Sequence, residues 1–139
     1  MTRFINRLLD SSFLWITARI LICVVFLISG LMKLILFDMG VSEMRNAGLE
    51  PAVLVNVFVA SYLIIGSTLI LFNRYLWLGA FSLAVFLLLA IPVALHFWTM
   101  EEPQATFVMH AVVEHISLVG GLVGMAIASR AKQRLRSIY

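Results

Sequence analysis

Four long apolar stretches dominate this chain and decide what it can fold into. They cover residues 13–37, 52–72, 75–98 and 106–128. Each is close to the roughly 20 residues that a helix needs to cross the hydrocarbon layer of a bilayer. With 63% hydrophobic and 12% charged residues, the chain also falls outside the range of soluble globular domains. The stretches therefore predict an all-α membrane protein with four transmembrane helices.

The connections between the stretches indicate how the helices are arranged. Asn73 and Arg74 alone separate the second stretch from the third, so these two helices must form a tight hairpin. The remaining connections are also short enough to make sequence neighbours antiparallel. We expect a single membrane domain over residues 1–139, consisting of an antiparallel four-helix bundle and a basic tail at residues 129–139.

The cations are distributed unevenly and predict the orientation in the membrane. One side of the predicted bundle carries Arg3, Arg7, Arg74, Arg130, Lys132, Arg134 and Arg136. The loops of the opposite side carry Arg45 and five acidic residues. Because Lys and Arg collect in cytoplasmic loops, both termini are predicted to be cytoplasmic. We expect the basic tail to face lipid head groups and not nucleic acid.

The longest connection, residues 38–51, contains a weaker helical pattern. Met44 and Leu49 supply apolar points, Gly48 is a suitable helix end, and Pro51 prevents continuation. This pattern predicts a short amphipathic helix in the first extracytoplasmic loop. The apolar run before it contains Lys33 and lacks a small-residue cleavage site. It is therefore predicted to remain as the first span and not to be removed as a signal peptide.

Two cations inside the first span require an explanation. A Lys or Arg at the bilayer centre costs roughly 2.5–3.5 kcal/mol on translocon-based scales. Arg19 and Lys33 lie on one stripe of the predicted helix. One interpretation is that both side chains reach the nearest interface through their long stems. The other is that they face partners inside the bundle, although the sequence offers Arg19 no partner at its depth.

The fourth span contains the acid that best matches Lys33. Glu114 lies one turn below His110 on a polar stripe, and a carboxylate at that depth needs a cation or a proton. Lys33 is predicted to lie at a similar depth, so we expect the two to pair, with His96 near the outer end of the third span as the other candidate partner. The predicted ligand-binding or buried ion network comprises Lys33, His96, His110, Glu114 and His115 in the outer half of the bundle, with Arg19 as a distant member.

These residue types suit binding or proton transfer better than metal chemistry. A Lys, Glu and His group at one depth fits a proton path or the head group of a quinone. No two histidines are spaced i, i+4 and no metal-ligand motif is present, so we expect no metal site and haem is disfavoured. Cys23 is the single cysteine, which removes dithiol chemistry within the chain. No catalytic residue is assigned, and whether the protein is an enzyme stays open.

Small residues indicate where helices approach closely. Two glycines of the fourth span are spaced G-x-x-x-G, a pattern that lets helix backbones touch in membranes. The predicted packing positions are Gly30, Gly66, Gly120, Gly121 and Gly124.

Several short motifs follow one another in a familiar order. They are Ala18-Arg19, Ser29-Gly30-Leu31-Met32-Lys33, Gly48-Leu49-Glu50-Pro51, Gly66, Leu95-His96-Phe97 and Gly120-Gly121. Over about residues 18–128 this pattern resembles the DoxX family of small four-helix bacterial membrane proteins. Two positions depart from it. Many relatives have a glutamate near the position of Leu63, and a Lys-Asn pair where this chain has Glu114-His115.

The resemblance implies a multi-pass protein of the bacterial cytoplasmic membrane, embedded in lipid and associated with other membrane or redox proteins. The predicted function is an accessory subunit of a membrane redox or envelope-stress system, holding a quinone- or lipid-like molecule in the outer half of the bundle. One alternative is a small transporter or proton-coupled channel lined by Lys33 and Glu114. A second is a haem- or quinone-dependent oxidoreductase. Homo-oligomerisation is left open.

Overall fold

The computed structural model describes residues 5, 7 and 9–137, excluding the side chain of residue 136. From Ser12 onward it contains five α-helices, and no strand occurs among the described residues. Arg3, used above to predict the orientation, lies outside them. The helices are α1 (Ser12–Ile35), α2 (Phe37–Asn46), α3 (Ala52–Leu71), α4 (Leu76–Ala94) and α5 (Gln104–Arg136), with a 3-10 helix at Phe97–Thr99 between α4 and α5.

Four of these segments are long and apolar enough to cross a membrane, as the sequence predicts. Helix α1 packs along α3, α3 along α4, and α4 along α5, whereas α1 and α5 touch over a short stretch only. The bundle therefore has one end where α1 begins, α3 joins α4 and α5 finishes, which we call the terminal end. At the opposite end, α2 lies against α1 and α3.

The ends of the first and third spans differ from the predicted boundaries, each for a local reason. The first span was expected to reach residue 37, but Leu36 leaves the helical region at φ −96° and ψ 60°, and the chain starts α2. The third was expected to reach residue 98, but α4 stops at Ala94, two residues after Pro92. Proline supplies no N–H to the helix and its ring clashes with the carbonyl one turn earlier, which weakens this last part of α4. Leu95 then leaves the helical region at φ −113° and ψ 40°.

The fourth span extends beyond its predicted end at residue 128. Helix α5 continues without a break to Arg136 and is 33 residues long. Its bundle-facing side includes the buried Leu122, Met125 and Ser129, whose spacing of three and four residues keeps them on one face of a helix. The basic segment predicted as a tail thus continues the helix, with Lys132 half-buried and residues 130, 131 and 133–135 exposed.

Close contacts between small residues hold α3 and α4 together. A Cβ built on Gly79 would lie 2.7 Å from the Gly66 carbonyl oxygen, and one built on Gly66 would lie 2.9 Å from Leu83 Cδ2. Leu83 and Ile70 are completely buried beside this contact. The Tyr62 hydroxyl adds a hydrogen bond of 2.9 Å to the Ser82 carbonyl. The glycines therefore let the two backbones approach more closely than any larger residue would.

The α3–α4 connection turns sharply. Asn73 and Tyr75 have φ values of 54° and 56°, in the left-handed region that Asn enters more readily than most residues. The left-handed Tyr75 immediately precedes α4. This geometry completes the hairpin that the short connection predicts.

Helix α2 covers the opposite end of the bundle. Its Val41 and Met44 are buried and form a small apolar cluster with Ala52, the first residue of α3. Gly40 is pressed against the side chain of Asn56, since a Cβ at residue 40 would lie 2.9 Å from Asn56 Nδ2. The region between α1 and α3 thus holds a docked helix and not an extended loop.

Candidate functional site

Lys33 finds its partner in α2. Its Nζ forms an ion pair with the Glu43 carboxylate, and the two side chains are 15% and 59% exposed. The predicted pairing with Glu114 is therefore wrong, because the break at Leu36 brings α2 back beside the end of α1. Since Glu43 is largely exposed, the pair ties α2 to α1 near the surface and is not a deeply buried ion network.

Asn56 forms a second polar contact at the same place. It is fully buried, and its Nδ2 donates a 3.0 Å hydrogen bond to the Lys33 carbonyl. That carbonyl lies in the last turn of α1, where helices leave carbonyl groups without intrahelical partners. Asn56 Oδ1 has no hydrogen-bond partner among the described residues. Lys33, Glu43 and Asn56 thus link three helices, although Glu43 and Asn56 were not among the predicted site residues.

Among the described residues, the hydrogen bonds and ring contacts found for the predicted histidines of the outer network join residues close in sequence. His110 Nδ1 lies 2.7 Å from the Thr106 carbonyl oxygen, and His115 Nδ1 lies 2.8 Å from that of Ala111, each one turn earlier in α5. His96 lies just after the end of α4, and its ring makes a T-shaped contact with the ring of Trp98. Glu114 is exposed and makes no ion pair within the described part of the chain. Their convergence on one ligand stays a prediction.

The part of the chain that the structure describes contains no cluster of metal-binding side chains. No three His, Cys, Asp or Glu side chains there are grouped closely enough to hold an ion. Cys23 is fully buried, and its Sγ lies 3.6 Å from the Ser67 carbonyl oxygen, to which it donates. The thiol therefore contributes to the packing of α1 on α3.

The predicted packing glycines divide into two groups. Cβ atoms built on Gly30, Gly66 and Gly121 would meet side chains of neighbouring helices at 2.8, 2.9 and 3.1 Å. The same construction on Gly120 and Gly124 meets nothing within 4 Å. Within a single chain, the G-x-x-x-G pair therefore faces outward and does not pack against the bundle.

Arg19 lies in a polar cavity at the terminal end that the sequence did not reveal. Its side chain is 9% exposed, and Nη1 donates a 3.1 Å hydrogen bond to the Leu71 carbonyl at the end of α3. The cavity has a volume of about 210 Å³ and lies between α1, α5 and the α3–α4 connection. Lys132 and the buried Ser129 reach it from α5. The sequence did not predict the partner of Arg19, because that partner is a backbone carbonyl and not an acidic side chain.

A larger groove opens between α4 and α5 at the same end. It has a volume of about 480 Å³, and its walls are almost entirely apolar, with Trp77 and Phe81 on one side and Val123 and Ile127 on the other. Two cations stand at its polar end, Arg130 and Arg134. The Arg130 guanidinium carbon lies 5.8 Å from the centroid of the Trp77 ring. The groove is thus apolar along most of its length and positively charged at one end.

The fold and these sites define a small helical membrane protein that crosses the bilayer more than once. Its described cavities open at one end and carry cations at their polar parts. The family model for DoxX matches residues 14–111. The chain belongs to the DoxX family.

The match begins in α1 and ends in the first turns of α5. It thus covers the Lys33–Glu43 cluster, whereas Glu114 and Gly120-Gly121 lie beyond it, although the sequence resemblance was drawn to about residue 128. No curated protein and no solved structure matched the chain in the corresponding comparisons.

Proposed function

We propose that this DoxX-family protein is an accessory, non-catalytic subunit of a bacterial membrane redox or envelope-stress system, and that it holds a quinone- or lipid-like amphiphile. The observation that carries the proposal is the apolar groove between α4 and α5 with arginines at one end. The link to redox or stress systems rests on the family resemblance. The described groove lining contains no carboxylate, thiol or imidazole, which favours binding over catalysis.

The groove suits a molecule with a long apolar tail and a small polar head. An acyl or isoprenoid chain would lie against Phe81, Ala84 and Val123 and bury its surface at roughly 25 cal/mol per Å² relative to water. Arg130 and Arg134 would donate charge-assisted hydrogen bonds to a phosphate, or hydrogen bonds to a quinone carbonyl. Binding from the bilayer would depend chiefly on these head-group contacts, because the lipid tails outside are equally apolar.

The charge distribution supports a cytoplasmic position for the terminal end. Arg74, Arg130, Lys132 and Arg134 lie there, whereas Arg45 lies near the opposite end and faces Glu50 at 3.7 Å. By the positive-inside rule, the N- and C-termini are in the cytoplasm and α2 is on the outer face. The proposed ligand position is then in the inner half of the membrane, opposite to the half that the sequence predicts.

The test uses the full chain extracted in a mild detergent. Bound lipids and quinones are released by organic solvent and quantified by mass spectrometry against the bulk membrane extract. We expect one amphiphile to be enriched in the wild-type protein. The variant Ala126→Phe fills the groove from α5 and is expected to reduce that enrichment at least about fivefold, while Val113→Phe adds the same ring at an exposed position outside it and should retain it.

Two outcomes would contradict the proposal. One is a wild-type protein without any enriched amphiphile, and the other is equal retention by Ala126→Phe and Val113→Phe. Circular dichroism melting of both variants checks that the groove variant is folded. An absorption spectrum of the same sample tests the oxidoreductase alternative, because a bound haem would give a Soret band.

Glu114 favours the small transporter or proton-coupled channel as the second candidate function. It is exposed on α5 about 15 Å from the start of that helix by the helical rise, and ionisable groups inside membranes often belong to ion or proton pathways. Proteoliposome proton flux that is present in the wild type and abolished by Glu114→Gln would establish this function. Flux indistinguishable from that of empty liposomes would rule it out.

A further inference from the structure

The polar cavity around Arg19 is separate from the groove and has a different chemical character. All but one of its eight lining residues have a side chain that can donate a hydrogen bond, and they are Ser12, Trp15, Arg19, Asn73, Ser129, Lys132 and Gln133. No carboxylate is among the described lining residues. The cavity therefore gathers hydrogen-bond donors and positive charge without an internal counterion.

Two cations share one aromatic ring in this cavity. The guanidinium carbon of Arg19 lies 5.9 Å from the centroid of the Trp15 ring, and Lys132 Nζ lies 5.0 Å from the same centroid. The ring attracts both cations, but the cations repel each other across a partly dehydrated space. An anion placed between them would remove this repulsion.

The guanidinium of Arg19 is also incompletely satisfied. Its Nε is buried and has no hydrogen-bond partner among the described residues, while Nη1 is bonded to the Leu71 carbonyl. Arginine stays charged in proteins and offers five N–H donors in a planar fork. A buried donor without a partner is costly, so a side chain that is 9% exposed in this state points to a missing acceptor.

We propose that this cavity binds a phosphate group, either the phosphate of a lipid head group or a free phosphate ion. Arg19 and Lys132 would supply the charge, and Ser129 and Asn73 would supply further donors to the phosphate oxygens. A volume of about 210 Å³ accommodates a tetrahedral phosphate with a small substituent. Basic pockets between membrane helices are a recurrent form of lipid head-group site.

The test follows Trp15 as an internal reporter. Replacing the other two tryptophans by Trp77→Phe and Trp98→Phe leaves one indole, and it lies against both cations of the cavity. The delipidated full-length protein in a neutral detergent is titrated with short-chain phosphatidylglycerol and, separately, with inorganic phosphate. We expect a saturable change in Trp15 emission. Saturation by the lipid alone identifies a head-group site, and saturation by inorganic phosphate identifies a free-ion site.

Charge variants at the terminal end distinguish a specific binding site from nonspecific electrostatic attraction. Lys132→Gln is expected to weaken binding by about tenfold, as for the loss of one charge-assisted hydrogen bond, and Lys132→Arg is expected to restore it. Ser129→Ala should weaken binding by a smaller factor. Arg74→Gln removes a cation from the neighbouring connection outside the cavity and should leave the affinity unchanged.

Three results would overturn the proposal. They are an emission that responds to neither probe, an unchanged affinity in Lys132→Gln, and an equal loss of affinity in Arg74→Gln. The variants of residues 129 and 132 keep the test independent of Arg19, whose replacement could unfold the protein. Because Ala126 lines the groove and not the cavity, failure of the amphiphile proposal and failure of the phosphate proposal are distinguished by separate readouts.

Discussion

Gly79 offers the sharpest test of how α3 and α4 are held together. In Gly79→Ala the new methyl group would lie 2.7 Å from the Gly66 carbonyl oxygen and 3.1 Å from both Ile70 Cγ1 and Leu69 Cβ. The nearest obstacle is backbone, so it cannot rotate away, and α4 must shift. Forcing an extra methyl group into a tight contact costs typically about 1–3 kcal/mol, and we expect the free energy of unfolding to be lower by that amount than in a glycine-to-alanine variant without the contact.

Gly120→Ala is the matched control. It adds the same methyl group inside a helix, but nothing lies within 4 Å of the new atom. Alanine favours a helix over glycine by about 1 kcal/mol, and this term cancels between the two variants. The difference between them therefore isolates the α3–α4 contact.

The assay is reversible unfolding in mixed micelles of a mild detergent and dodecyl sulfate, followed by far-UV circular dichroism. Gly79→Ala should unfold at a clearly lower dodecyl sulfate fraction than Gly120→Ala. Equal midpoints for the two variants would show that the helices have room for a methyl group and that their contact does not depend on glycine.

Two further predictions follow from individual side chains. A double-mutant cycle between Lys33→Met and Glu43→Gln should give a coupling energy of about 0.5–1 kcal/mol, as for a partly exposed ion pair. The cycle between Lys33→Met and Glu114→Gln should give no coupling. A larger coupling energy with Glu114 than with Glu43 would show that Glu114 is the partner of Lys33. Cys23, which is fully buried, should react with a membrane-permeant maleimide much more slowly in mild detergent than after unfolding in dodecyl sulfate, and equal rates would show that its packing is open.

The number of spans was predictable because it depends on length and composition. Four apolar runs of membrane length fix four helices, and the short connection at Asn73 fixes one hairpin. The location of glycine contacts was predictable only in part. A pattern places Gly30 and Gly124 on a helix face, but only the neighbours decide that the first meets α3 and the second meets nothing in the chain.

The partner of Lys33 could not be predicted for a geometric reason. Depth along a straight helix favoured Glu114, but the single non-helical residue Leu36 redirects the chain and brings Glu43 back to the lysine. Backbone turns of this kind leave little trace in a residue pattern. The same holds for Arg19, whose partner is a carbonyl group that every residue possesses.

The cavity at Arg19 was missed because the basic end of the chain was interpreted as a tail. In the structure, residues 129–136 form the last two turns of α5. Ser129 and Lys132 therefore lie on the same helix face as Leu122 and Met125. The continued three-and-four spacing was the available signal. The high charge of the segment outweighed this spacing in the prediction, because four cations within seven residues suggest a solvated segment.

The length of α5 has a mechanical consequence. By the helical rise, α3 and α4 measure about 30 and 28 Å, close to the hydrocarbon thickness, whereas α5 measures about 50 Å. Helix α5 is therefore roughly 20 Å longer than the hydrocarbon layer is thick, and it must tilt or extend beyond that layer. A thicker bilayer would cover more of α5 and a thinner one less, so the depth of Arg130 and Arg134 relative to the head-group layer would change with membrane thickness.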